Sequence, residues 1–203
     1  MNNQRVLVTA GAAGIGREIV RAFAAGGAAV FVCDLDAKGL RALAEEIAGL
    51  KIGVCDVSKR SDIERMVGEA IQALGGLDVL VNNAGIAGPT APVEHMDPDE
   101  WEKVIQVDLN GTFNVTRLAI PHLKKSKAGV IINMSSVAGR FGYANRSPYC
   151  TTKWGIIGFT KTLSIELGEH GIRANAILPG AVDGPRIQRV FRGTGRAKRQ
   201  ITR

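Results

Sequence analysis

The stretch QRVLVTAGAAGIGREIVRAFAAGG, residues 4–27, changes its hydrophobic period in the middle. Its first part, up to Thr9, is a short apolar run that reads as a buried strand; Ile19, Ala22 and Phe23 then recur at helical spacing until Gly26 and Gly27 stop the pattern. Between strand and helix lie Gly11, Gly14 and Gly16, spaced G-x-x-G-x-G rather than the common dinucleotide fingerprint G-x-G-x-x-G. Glycines let a chain turn tightly and bring its backbone close to a ligand. The helix that follows aims N–H groups and a positive dipole end at phosphate. A tight strand-to-helix connection with no ligand fits the same residues.

Working outward, further short apolar runs follow: AAVFVCD, KIGVCD, LDVLVNNAG, GVIINMSS and GIRANAILPG, separated by longer stretches of helical period such as DEWEKVIQVDLNGTFNVTRLAIPHLKK. Strand alternating with helix implies right-handed crossovers, hence a parallel sheet covered on both faces. The expected fold class is therefore α/β, a doubly wound parallel sheet in a single domain. Ligands of such a sheet sit at the carboxyl ends of the strands, where the strand order reverses.

A chain of 203 residues with 45% hydrophobic content suits one domain, without repeats or a linker. The polar start MNNQR does not resemble a signal peptide, and no apolar run reaches membrane-spanning length. Three scattered cysteines, Cys33, Cys55 and Cys150, fit a reducing, cytoplasmic setting, and His95, His122 and His170 lack ligand partners at metal-binding spacing. The net charge of +7 resides in one place: residues 186–203 hold seven of the 26 basic residues and no acidic one, leaving 19 basic against 19 acidic elsewhere. Nucleic-acid footprints lie on folded faces with contact residues interleaved, so this run reads first as a solvated tail and no nucleic-acid partner is expected.

Asp34 ends the second apolar run, eighteen residues past Gly16. A carboxylate there can accept hydrogen bonds from an adenosine ribose diol and repels a 2′-phosphate, which points to NAD in preference to NADP. A third element is SPYCTTKW, residues 147–154, in which Ser147 reads as an N-cap, Pro148 as the first helical residue, and Tyr149 and Lys153 share a face one turn apart. Alone, that pair is equally the solvated face of a helix.

In order along the chain stand TAGAAGIG, CDV at 55–57, NNAG at 82–85, NMSS at 133–136, YCTTK at 149–153 and PGAV at 179–182. With these six motifs the sequence, from about residue 4 to 186, resembles the short-chain dehydrogenases/reductases, in particular the compact Rossmann-like group that includes 3-oxoacyl-carrier-protein reductases and many sugar and alcohol dehydrogenases. The resemblance implies an oxidoreductase that moves a hydride between NAD and a secondary alcohol or ketone. It implies that Gly11, Gly14, Ile15 and Gly16 line the pyrophosphate turn, that Asp34 takes the adenosine ribose, that Asp56 and Val57 border the adenine, that Asn83 supports the cofactor, and that Pro179, Gly180 and Val182 flank the nicotinamide. The catalytic serine of the family lies thirteen residues before the tyrosine, which is Ser136 and not Ser135.

Tyr149 and Lys153 then acquire a chemical meaning. Free tyrosine titrates at about 10, too high for a base at neutral pH, and a neighbouring cation stabilises the phenolate. Tyr149 is implied as general acid/base, Lys153 as that cation and as a holder of the nicotinamide ribose, and Ser136 as a hydrogen-bond partner of the reacting oxygen. The family also implies a homodimer or homotetramer, paired through helices at about 100–125 and 149–168 whose outward faces are expected to carry Val115, Leu118, Ile157 and Phe159.

Three departures from the family pattern stand out. Ala10 occupies the place of the first glycine of the turn. Asp108, seven residues after Trp101, stands where the family has a catalytic asparagine; it is read as a local helix-bending change of modest effect, although its charge could compete for Lys153. Finally, residues 186–203 begin like a helix that roofs the substrate and end in Gly, Lys and Arg, so a final strand is expected to be missing, the tail mobile and turnover weak. Two other classes therefore remain at this point: a nucleotide-binding scaffold or regulatory protein with little turnover, and a nucleic-acid binder using the tail.

Overall fold

The structure, a computed structural model, describes residues 3–126, 128–183 and 188. The segment read as a basic tail, residues 186–203, lies outside these apart from Gln188, as do the expectations attached to it.

Strand β1 (Arg5–Thr9) shows why the sheet is buried on both faces. Leu7 points into one apolar cluster, with Phe31, Ile63, Leu80 and Ile131, and its neighbours Val6 and Val8 point into the other, with Val20, Leu40, Leu43 and Val81. Side chains alternate along a strand, so three consecutive apolar residues require cover on both sides. Helices α1 (Gly14–Ala25) and α2 (Ala37–Glu46) cover the second cluster, and α3 (Arg60–Leu74), α5 (Gly111–Leu123) and α6 (Ser147–Glu166) the first. Within α1 the buried residues are Gly16 and Val20, the latter flanked by partly buried Ile19 and Phe23; Ala22, at the same helical spacing, is exposed.

Among the described residues the remaining strands are β2 (Ala29–Asp34), β3 (Lys51–Val54), β4 (Val79–Asn82), β5 (Val130–Met134) and β6 (Arg173–Ile177), paired in parallel in the order β3-β2-β1-β4-β5-β6. The chain steps outward from β1 to β3 and returns to lay β4 against the other side of β1, opening a crevice where these two strands end. At the opposite end, the Arg5 guanidinium donates to both carboxylate oxygens of Asp78 at 2.8 and 2.9 Å, tying the entry to β1 to the entry to β4.

Helix α4 (Pro98–Ile105) runs into α5 through one π-helical turn, Gln106–Asn110. The irregularity expected at Asp108 is therefore present, and the wider turn carries the Asp108 side chain into the interior, where it is fully buried. The expected outward face of α5 and α6 needs correction. Val115 is a core residue, and Leu118 and Phe159 pack partly against the same core, because the side of α5 that carries Val115 closes over β4 and α3. The exposed apolar residues of these helices are Phe113, Trp154 and Ile165, with the Phe113 and Phe159 rings meeting edge to face at 6.3 Å.

Candidate active site

Thr9, the last residue of β1, organises the crevice. Its hydroxyl accepts the N–H groups of Asn83 and Ala84, both at 3.0 Å, so the segment leaving β4 folds back over the end of β1. The Asn83 side chain then donates to the carbonyls of Thr9 at 3.1 Å and Ala10 at 2.8 Å. Ala10 is held with φ at 54°, a left-handed conformation that an alanine adopts only at a cost, and that a glycine takes freely. Asp34 braces the turn from β2 by accepting the Ala12 N–H at 3.0 Å.

The turn reaches α1 through Gly14, whose φ is 55°. At Gly16 a side-chain carbon would collide with the Ala10 carbonyl and the Asn83 amide, so the first turn of α1 lies directly on the loop. Ala13, the N-cap, offers no side-chain hydrogen bond, and the first turn holds no acidic residue. The leading N–H groups of α1 thus form an uncapped, positively polarised end beside a backbone-lined turn, which suits a diphosphate. Farther out, the Asp34 carboxylate is half-buried at the end of β2. Asp56 is partly desolvated, which opposes its charge, but hydrogen bonds from the Ser58 hydroxyl and N–H and the Lys59 cation outweigh this and hold its carboxyl below the usual value. Val57 packs beneath Gly111.

Across the crevice, α6 presents Tyr149 and Lys153 one turn apart. Lys153 is almost wholly buried; its ammonium donates to the Met134 carbonyl at 3.0 Å, lies 3.7 Å from the Asp108 carboxylate, and stands 5.5 Å from the Tyr149 ring centroid. Two residues past β5, Ser136 is extended, and its Oγ accepts the Ala138 N–H at 3.1 Å. The adjacent Ser135 has a different task, donating to the Lys153 carbonyl at 2.8 Å and fastening α6 to the end of β5. Pro179 accepts the Val137 N–H at 3.1 Å, joining the segment after β6 to the one after β5, and Gly180 and Val182 are exposed beyond it.

The start of α6 departs from expectation: Arg146 holds the N-cap position, and Ser147 is already helical, with a buried Oγ that has no hydrogen-bond partner among the described residues. Arg146 itself was not singled out from sequence. Its buried guanidinium donates to the Ala87 carbonyl at 2.6 Å and to the Gly88 and Pro89 carbonyls and the Thr90 hydroxyl at 3.2–3.4 Å, and it lies 5.2 Å from the Tyr149 ring centroid. A second group missed from sequence is a buried polar chain: Asn82 donates to Thr116 and to Asn133, each at 2.8 Å, and Asn133 to Thr160 at 2.9 Å. It runs from α5 through β4 and β5 to α6. The register that sets Asn82 beside Asn133 makes it possible, and only pairing of the two strands reveals it.

The parallel sheet in this order, covered by helices on both faces, is a Rossmann-like α/β fold, and the chain belongs to the short chain dehydrogenase family, whose model matches residues 4–194. It is similar to the L-fucose dehydrogenase of Bos taurus, 39% identical over 180 residues that make up 89% of this chain and 66% of that protein. Among solved structures it resembles the 3-ketoacyl-(acyl-carrier-protein) reductase from Brucella melitensis complexed with NADH, at TM-score 0.89 and 32% identity over 92% of this chain and 79% of that one. An actinorhodin polyketide ketoreductase with NADPH gives TM-score 0.90 and 34% identity over 95% and 77%. The chain spans about two thirds of the length of the L-fucose dehydrogenases it matches.

Proposed function

We propose that the protein is an oxidoreductase acting between a nicotinamide cofactor and a secondary alcohol or ketone, with NAD preferred over NADP. The observation that carries this reading is the buried Lys153 ammonium beside the half-exposed Tyr149 ring, across the crevice from an uncapped helix end and a backbone-lined turn. The residues fit a dinucleotide: Gly14, Ile15 and Gly16 would hold its diphosphate on a turn that Gly11, packed against Val20 and Val32, lets close against the sheet. Asp34 would take the adenosine ribose, Asp56 and Val57 the adenine side, Asn83 would support the cofactor from the end of β4, and Pro179, Gly180 and Val182 would flank the nicotinamide. A nicotinamide bound there would supply or take up the hydride.

Tyr149 gives a proton to the carbonyl oxygen in reduction and removes one from the alcohol in oxidation. Ser136 holds the same oxygen through a hydrogen bond that its Oγ can donate, since that oxygen serves the Ala138 N–H as acceptor. Lys153 keeps positive charge next to the ring. The preference for NAD rests on the Asp34 charge, which would face an added phosphate at close range. Self-association is proposed through the outer faces of α5 and α6, where Phe113, Trp154 and Ile165 are exposed. The odd count of cysteines supports a cytoplasmic setting, and among the described residues no helix is long and apolar enough to cross a membrane.

The test is a titration with NADH and NADPH followed by a panel of ketones and alcohols. Tighter binding of NADH and turnover of at least one panel member is the expected result. Failure to bind either dinucleotide would remove the reading.

A further inference from the structure

Asp108 is a fully buried carboxylate with a full set of neighbours. Its Oδ1 accepts the Ile86 N–H at 2.7 Å; its Oδ2 accepts from the Thr152 hydroxyl at 3.4 Å and lies 3.7 Å from the Lys153 Nζ; and its main-chain carbonyl accepts the Thr112 hydroxyl at 2.8 Å. Both charges of this pair are almost completely out of water, Lys153 at 4% and Asp108 at 0% side-chain exposure. In that setting a carboxylate acts electrostatically over several ångströms, offsetting the cation and disfavouring any further anion nearby. An asparagine could accept the same Ile86 hydrogen bond without the charge.

From this geometry we infer that Asp108 is a positioning residue that holds Lys153 toward Met134 and neutralises part of its field at Tyr149, so that proton transfer in this protein runs at higher pH than an uncharged residue at 108 would allow. The inference rests on the proposed oxidoreductase reading for its catalytic consequence, and on the ion pair alone for its structural one. Among the described residues, the Tyr149 ring on the same helix lies 5.5 Å from the Lys153 ammonium and itself has the Arg146 guanidinium 5.2 Å from its centroid; β5 adds the Met134 carbonyl and the loop after β4 the Ile86 N–H.

The direction of the effect follows. Oxidation of the alcohol needs the tyrosine oxygen free of its proton, and reduction of the ketone needs the proton present. Asp108→Asn removes a negative charge and makes the deprotonated form easier to reach. The rising limb of the oxidation profile and the falling limb of the reduction profile therefore both move to lower pH, which reads as faster oxidation on the acid side of the limb.

The experiment measures these two profiles in the protein and in Asp108→Asn, together with phenolate absorbance against pH. The chain has two tyrosines, so subtracting the titration of Tyr149→Phe isolates the residue of interest. Both profiles and the Tyr149 absorbance moving acidward is the expected result. If the absorbance moves while neither protein turns over, the inference stands and the oxidoreductase reading fails. Turnover with profiles and absorbance unmoved overturns the inference. Should Asp108→Asn fold poorly, Lys153→Met and the double variant decide: stranding Asp108 lowers the melting temperature, and adding Asp108→Asn restores much of the loss. A double variant no more stable than Lys153→Met would show that the two charges are not paired and would likewise overturn it.

Discussion

Replacing Ala10 by glycine should stabilise the protein, and the size of the gain can be worked out from the turn. Ala10 sits at φ 54°, fixed there by the Asn83 amide on its carbonyl. A Cβ-bearing residue in the left-handed region costs about 1–2 kcal/mol. Glycine removes that strain but gives the unfolded chain more freedom, which returns about 0.4–1 kcal/mol. The difference is a net gain of roughly 0.5–1 kcal/mol, or about 1–4 °C in melting temperature for a domain of this size. Urea unfolding of the two proteins measures it, provided the dependence on denaturant is the same for both. The counter-variant Ala10→Val, with a branched side chain in the same conformation, should lose stability. If Ala10→Gly were instead destabilising by more than about 0.5 kcal/mol, the alanine methyl would be contributing packing that outweighs its backbone strain, and the reasoning would be refuted.

Asp34→Ala should weaken NADH binding and narrow its advantage over NADPH, while also loosening the turn through loss of the Ala12 hydrogen bond; equal affinity of the unaltered protein for both dinucleotides would sink the assignment. The Arg5 guanidinium, with smaller help from Ser126, holds the Asp78 carboxyl well below its usual value, so this group binds fewer protons folded than unfolded. Its stabilisation is complete above about pH 4 and drains away as pH falls further, and Asp78→Asn should cost roughly 1–2 kcal/mol at neutral pH with a flatter acid limb in thermal melts. Arg146→Met removes the donors that gather the carbonyls of 87–89 and the Thr90 hydroxyl and should speed amide exchange across residues 86–91 relative to the sheet; unchanged exchange there would mean the guanidinium does not hold that segment.

Much of this arrangement was legible in the sequence because it depends on local spacing. The turn from β1 into α1 needed glycines at fixed offsets, and the Tyr149–Lys153 pair follows from one helical turn. Other features depend on partners distant in the chain. Val115 looked like an outward residue because helical spacing says which residues share a face and not which face meets the sheet. Ser147 looked like a cap because its type and the following proline suit one, yet the helix starts one residue earlier around the buried Arg146. The polar chain from Thr116 to Thr160 required the pairing of β4 with β5, and the Asp108–Lys153 contact required a π-helical turn to bring a carboxylate inward.

The central claim is that Tyr149 carries the proton. The most direct measurement compares NADH-dependent ketone reduction by the protein and by Tyr149→Phe, alongside NADH affinity. Removing one hydroxyl leaves the ring and its two flanking cations in place, so affinity should change little while the rate falls about a hundred- to ten-thousandfold. A phenylalanine variant that kept most of the rate would contradict the account.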